Sequence, residues 1–357
     1  MFPRGTPPDL LDVTFRKSEH STSLDRKDYG IYGLPYSLRY FEMPAIKPFL
    51  PFIASSRLGD SVWSEEHNAF MFVERAWAQP REFIKTFKTS DYLIHCFGYS
   101  ELLLQLILER ERKQSKDRGP VQFIVIFDLA TVNITDYVNP MSGYMKLWQL
   151  RSDLWQDWYP EVVQVIYLVN PPRLVSLLWK IARLFLTEQN LRKMVIVGDK
   201  EMPKHVNKNY VPKEYGGEYV NKDLPGDESG VSIRRKITSA DHYQAYQHYE
   251  LRGVQRPKPA KKVLLISKAA QGQFILSGER QRHARVFRTY HLANSSQSLS
   301  LYQKDERHLV YPRLRLVTAK LAEEGVLPNL PGGEYSLVFA NRGTYFTTKL
   351  EYAITLV

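Results

Sequence analysis

The sequence predicts two units in series: an α/β unit with a mostly parallel sheet and helices packed on it, then an all-β sandwich. Three observations carry this reading. Strand-like and helix-like patterns alternate through the first 200 residues, the signature of βαβ connections. Beyond residue 262 helical periodicity gives way to short β-branched and aromatic runs at close intervals. The charge divides at the same place. Residues 231–357 hold 20 Lys/Arg against 9 Asp/Glu, the whole of the net +11, whereas residues 1–230 hold 29 of each. These shifts support a domain boundary near residue 230, with the β unit over 240–357.

Taken in order, the N-terminal arm is rich in proline (Pro3, Pro7, Pro8, Pro35, Pro44, Pro48, Pro51) and aromatic residues, which suits irregular chain with one or two short helices. Asn68–Glu74 reads as a strand, and Arg81–Leu93 and Ser100–Lys113 as helices. Val121–Phe127 is a near-continuous apolar run, as expected of a strand covered on both faces. Met141–Trp158 reads as an aromatic helix, and Val162–Val169 and Met194–Val197 as further central strands. Between those two strands, Arg173–Leu186 has an apolar excess. Only Arg173, Ser176, Lys180 and Arg183 are polar, at steps of three and four, so they make one narrow stripe on a helix. An ordinary surface helix has a narrower apolar face. At about 1.5 Å per residue the segment spans roughly 21 Å, too short for a bilayer. It is either a core helix or the cover of a cavity. Gly216-Gly217 reads as a turn needing positive φ. In the β unit, Val263–Ile266, Gln273–Leu276, Arg285–Arg288, Ser298–Tyr302, Arg313–Thr318, Tyr335–Phe339 and Phe346–Leu356 read as strands. Asn341-Arg342-Gly343 signals a turn before the last of them.

Composition narrows the chemistry. One cysteine, Cys96, excludes an internal disulfide and a cysteine metal site. No apolar run reaches the roughly 18 residues of a membrane span. The N-terminus lacks an apolar signal core, which argues for the cytosol. Neither phosphate-binding glycine pattern occurs, nor a G-x-S-x-G elbow, nor H-E-x-x-H. The nine histidines show no metal-ligand spacing. Asp128 ends an apolar strand, where a carboxylate can serve catalysis, but no partner follows it, and bonding to backbone N–H groups in the turn is the better account. No catalytic residue, metal ligand or cofactor is therefore assigned. The positive charge lacks a nucleic-acid-binding module, so nucleic acid is not the expected partner.

In order along the chain, Ile126-Phe127-Asp128-Leu129, Tyr159-Pro160-Glu161, Leu168-Val169-Asn170-Pro171-Pro172, the apolar helix, Lys193-Met-Val-Ile-Val-Gly198 and Val211-Pro-Lys-Glu-Tyr-Gly-Gly217 resemble the CRAL-TRIO lipid-binding domain over roughly residues 67–230. Pro331-Gly-Gly-Glu-Tyr-Ser-Leu-Val-Phe-Ala-Asn341 and Lys349-Leu-Glu-Tyr-Ala-Ile354 resemble the GOLD domain, a jelly-roll-like β-sandwich. The tandem is similar to the tocopherol-associated protein (supernatant protein factor) group. The basic three-helix lobe that usually opens the family, with its R-F-L-R-A type motif, has no counterpart in residues 1–66.

The resemblance implies a non-enzymatic carrier that takes one lipid from a membrane, encloses it and presents it elsewhere. The apolar helix 173–186 then becomes a mobile gate, with Leu174, Leu177, Leu178, Ile181 and Phe185 on its ligand side. Phe123, Val125 and Phe127 become the pocket floor. Phosphatidylinositol binders of the family place a Glu and a Lys around the headgroup at the positions of Glu161 and Lys193. Phe123 and Val125 stand where phosphatidylcholine binders carry small hydroxyl residues, so a choline lipid is disfavoured and an isoprenoid or tocopherol-like ligand suits the floor equally. The expected partners are the lipid, an anionic membrane surface met by the basic C-terminal unit, and a protein bound through the GOLD domain. The expected location is cytoplasmic with reversible membrane association. The alternative is an adaptor that binds a trafficking or signalling protein through its GOLD domain under lipid control.

Overall fold

The computed structural model describes residues 48–53, residues 62–220 apart from 116, 140, 141, 160 and 199, residues 234–245, residues 320–322 and eight C-terminal strands. Most of the N-terminal arm, the link 221–233 and the turn at Arg342-Gly343 lie outside the described residues.

One five-stranded sheet organises the first unit. Strands β1 (Trp63–Ser64), β2 (Ala69–Arg75), β3 (Gln122–Asp128), β4 (Val163–Val169) and β5 (Met194–Ile196) lie in that order. β1 pairs antiparallel with β2 and all later pairs are parallel. The sheet is mostly parallel, as the alternating pattern predicts. Phe123, Ile124 and Ile126 in β3 are buried, and β2 is buried from Ala69 to Glu74, which explains why neither strand shows polar alternation.

The crossovers carry the helices. Between β2 and β3 run α1 (Pro80–Thr86) and α2 (Thr89–Lys113). Pro80 starts α1 at a position where a missing N–H costs nothing. α2 is one continuous helix of 25 residues, whereas the sequence pattern splits this region at residues 94–99. Gly98 weakens the local helical signal, but Tyr92, Cys96, Tyr99, Leu103 and Leu106 are buried at helical spacing, and tertiary packing overrides propensity. Between β3 and β4 run α3 (Ile134–Tyr137) and α4 (Gly143–Trp158). Between β4 and β5 lie α5 (Val175–Ala182) and α6 (Glu188–Arg192).

α5 is shorter than the apolar run that announces it. Leu174 at its N-cap offers no side-chain acceptor. Past Ala182 the chain tightens, with Leu184 N–H donating to Ile181 O at 3.0 Å and Phe185 N–H to Ala182 O at 3.0 Å. Residues 173–186 are thus a short helix flanked by turns. Gly216 has φ +90°, and a Cβ on Gly217 would lie 1.9 Å from Val211 O, so both glycines serve the backbone as the sequence suggests.

Residues 234–245 return to the α/β unit. Ile237 is buried, and Gln79 both donates to its carbonyl at 3.2 Å and accepts from its N–H at 2.9 Å. The C-terminal part contains β6 (Lys262–Ile266), β7 (Gln271–Gly278), β8 (Arg285–His291), β9 (Gln297–Gln303), β10 (His308–Leu316), β11 (Glu323–Leu327), β12 (Gly333–Asn341) and β13 (Thr348–Leu356). They form two antiparallel four-stranded sheets ordered β10-β9-β12-β7 and β11-β8-β13-β6. Strand β11, with two glutamates and a glycine, has no counterpart in the sequence pattern.

Glu323 at the start of β11 reaches the first turn of α2. Its carboxylate accepts from Ser90 N–H at 3.0 Å and from Ser90 Oγ–H at 2.5 Å, and all of these groups are buried. Lys88 Nζ donates to Glu324 O at 2.6 Å. Here a carboxylate from one unit caps the positive end of a helix in the other.

Candidate functional site

The first unit contains an open apolar cleft between the sheet and α4. Its floor follows from the period of two along β3, which turns Phe123, Val125 and Phe127 to one face. β4 contributes Val163 and Ile166, three residues apart. A register shift pairs Phe123 with Val163 and Ile124 with Val165, so Gln164 is the extra residue of a bulge, and Val163 and Ile166 both face the cleft. The wall is one face of α4: Trp148, Arg151, Ser152, Trp155 and Gln156 recur at steps of three and four.

An adjoining cleft extends under α5. It shares Glu74, Phe127, Trp148, Arg151 and Met194 with the first and adds Trp179, Ile181 and Ala182. Ile181 is buried and lines this space, while Leu177 and Phe185 pack with Tyr137, Tyr144 and Met145 at its edge. Leu174 is 59% exposed and points away from both clefts' linings. The side chain of Leu178 lies outside the described residues. Leu186, beyond the helix, reaches the larger cleft.

Glu161 and Lys193, 32 positions apart in the chain, meet at the N-terminal ends of β4 and β5. Lys193 Nζ lies 3.7 Å from Glu161 Oε2 and donates to Val163 O at 2.9 Å. Both residues line the larger cleft. Glu161 is at φ +64°, an uncommon conformation for a residue with a Cβ. Gln122 Nε2 donates to its carbonyl at 2.6 Å and Gln189 Nε2 to its carboxylate at 2.9 Å. A cation held in place beside an exposed carboxylate can receive a phosphate while the carboxylate accepts from hydroxyls.

Gln156 joins the wall to the chain after α5. It donates to Phe185 O at 2.9 Å and accepts from Thr187 N–H at 2.8 Å and Asn190 Nδ2 at 3.1 Å. Asp128 takes the structural role: it accepts from Ala130 N–H at 2.9 Å, Asn170 Nδ2 at 2.9 Å and Tyr215 OH at 3.0 Å. Among the described residues no group of three or more His, Cys, Asp or Glu is placed to hold a metal ion.

One pair has no counterpart in the sequence pattern. Arg151 Nη1 and Nη2 donate to Glu74 Oε1 and Oε2, each at 2.5 Å, across the lining of both clefts. Burial works against the guanidinium's charge, but Glu74 outweighs it and Arg151 holds its proton more tightly than usual. The signal was present: Glu74 is a charge at a core-facing position of an apolar strand, and Arg151 stands among the aromatic residues of one helix face.

The profile of the CRAL/TRIO domain matches residues 83–217. A CRAL-TRIO domain-containing protein of Caenorhabditis elegans is 56% identical over 347 residues, which cover 93% of this chain and 82% of that protein. The chain belongs to the CRAL-TRIO domain family. The chain is also similar to the phosphatidylinositol transfer protein SFH5 of Kluyveromyces lactis, at 35% identity over 66 residues, 18% of this chain and 22% of that one. The crystal structure of Sfh5 aligns with a TM-score of 0.39 and 17% identity, covering 69% of this chain and 73% of that one. The larger cleft lies within the CRAL-TRIO unit, and the matched segment includes its floor, its wall and the Glu161–Lys193 pair.

Proposed function

We propose that this CRAL-TRIO protein binds one lipid molecule and carries or presents it at membranes, without catalysing a reaction. The open apolar cleft over the Phe123–Val125–Phe127 floor carries this reading. Each methylene buried there contributes about 0.8 kcal/mol. Lys193 and Glu161 at one end offer charge-assisted bonds to a phosphoinositide headgroup, and similarity to a phosphatidylinositol transfer protein supports that class. The apolar walls equally suit an isoprenoid or tocopherol-like lipid.

Residues 173–186 act as the gate. Ile181 faces the ligand space from α5. Leu174, Leu184 and Val138 are more than half exposed, and Arg173, Lys180 and Arg183 are exposed among them. An apolar edge among cations suits entry into an anionic membrane interface, and the basic C-terminal residues add attraction. No helix among the described residues is long and apolar enough to cross a membrane. The C-terminal unit is read as a GOLD domain of the tocopherol-associated protein group, working at the cytoplasmic membrane face. The deciding experiment is native mass spectrometry of the purified chain with extraction of what it holds. A one-to-one lipid adduct is expected. A chain that stays empty after incubation with mixed-lipid vesicles overturns the reading.

A lipid-regulated adaptor is the second reading, favoured by the buried Ser90–Glu323 contact that ties the C-terminal unit to α2. It predicts that lipid loading changes capture of a protein partner while transfer between vesicles is unaffected by mutation of the C-terminal strands.

A further inference from the structure

The Glu74–Arg151 pair lies inside the ligand space rather than at its mouth. Three cavities converge on it: the two clefts described above and a smaller space beneath Trp77, Tyr92 and His95 are each lined by both residues. The Arg151 side chain retains 20% of its accessible surface. Replacing a buried ion pair with apolar groups of similar size commonly leaves a protein as stable or more so. Stability is therefore a poor reason for charge in the middle of an apolar cleft, and chemistry toward a ligand is a better one.

Position and valence define that ligand. Glu74 pairs with Phe127 across β2 and β3, whereas Val163, whose carbonyl holds Lys193, pairs with Phe123. Four residues of strand at about 3.3 Å each set the two polar sites roughly 13 Å apart along the floor. A headgroup at Lys193 leaves Glu74 and Arg151 beside the apolar body of the same molecule. The bonds to Glu74 use two of the five guanidinium N–H groups, and among the described residues the other three meet no protein acceptor. The carboxylate oxygens likewise keep lone pairs. The pair is neutral as a whole, so a ligand carboxylate here would face Glu74 across a low dielectric and be repelled. A hydroxyl satisfies both partners, donating to Glu74 and accepting from Arg151.

We infer that Glu74 and Arg151 form a second, deep polar subsite that takes an uncharged hydroxyl on the apolar body of the lipid, so that the preferred cargo is a lipid alcohol. This rests on the carrier reading above and narrows its ligand class.

The test offers the full chain phosphatidylcholine vesicles containing equal amounts of octadecanol, its methyl ether and octadecanoic acid. The protein is then re-isolated and what it retains is quantified by mass spectrometry. The ether has the same tail and can accept but not donate. The wild-type chain is expected to retain the alcohol about tenfold over the ether and over the acid, the factor set by one good hydrogen bond to a charged partner. The double variant Glu74→Leu/Arg151→Met, which leaves no unpaired charge, is expected to lose the preference and to retain alcohol and ether in equal amounts. Equal retention of alcohol and ether by the wild type overturns the inference, as does preference for the acid, or a preference that survives in the double variant. The wild-type comparison decides even where the variant fails to fold. Retention of none of the three by the wild type overturns the inference; the carrier reading falls only where the chain also stays empty after incubation with mixed-lipid vesicles that include phosphatidylinositol.

Discussion

His95 shows how a single side chain reports on the core around the site. It is buried, stacks on Phe49 with centroids 4.8 Å apart, and lines a space that Arg151 also lines. Burial first, and Arg151 second, push its pKa down from 6.5 to about 3. The unfolded chain then binds a proton that the folded chain refuses. The stability contributed is fully present above pH 6.5 and is lost as pH falls toward 3. Between pH 6.5 and 5 the slope approaches about 1.4 kcal/mol per pH unit from this group alone. His95→Phe keeps the ring stack and should flatten that slope in urea titrations. An unchanged slope would assign it to other groups. At the mouth, Lys193→Ala should lower phosphatidylinositol retention about tenfold, the worth of one charge-assisted bond, while an uncharged lipid is held as before. Equal loss of both lipids would mean that Lys193 serves only to tie β5 to Val163.

Among elements, the proposed gate turns on the chain segment after α5. Gln156 clasps it with three hydrogen bonds. Gln156→Ala should accelerate lipid exchange between vesicles severalfold with little change in the lipid retained at equilibrium, as expected when a closed state is destabilised by about 1 kcal/mol. An unaltered exchange rate would place the moving part elsewhere. The same elements show what sequence pattern can and cannot convey. The parallel sheet was legible because alternating strand-like and helix-like runs are local properties of the chain, whereas Val121–Phe127 is apolar on both faces and its floor side came only from the family resemblance. The ends of α5 were not, because apolarity continues through Leu184–Leu186 where the backbone has already tightened, and no capping residue marks the change. The bulge at Gln164 depends on the register between two strands, and the Glu74–Arg151 pair joins positions 77 apart. The lone charges of Glu74 and Arg151 are visible in their own segments, but neither the bulge nor the pairing leaves a local trace.

The whole molecule is tied together at the first turn of α2. Its N-cap residue, Lys88, supplies no side-chain acceptor, and the carboxylate of Glu323 fills that role. Burial raises the Glu323 pKa, while Lys88 and the Ser90 hydrogen bonds favour its charged form. Glu323→Ala should separate the two units: one cooperative thermal transition in the wild type should become two in the variant, read by calorimetry. A single sharp transition in the variant would show that other contacts suffice for the coupling. The contact also has a consequence for biosynthesis. Ser90 and Glu323 stand 233 residues apart. On the ribosome, the parallel strands and their crossovers emerge long before the glutamate does. The start of α2 therefore lacks this cap until β11 has been made, and a nascent chain stalled before β11 would leave that turn open to chaperones and proteases.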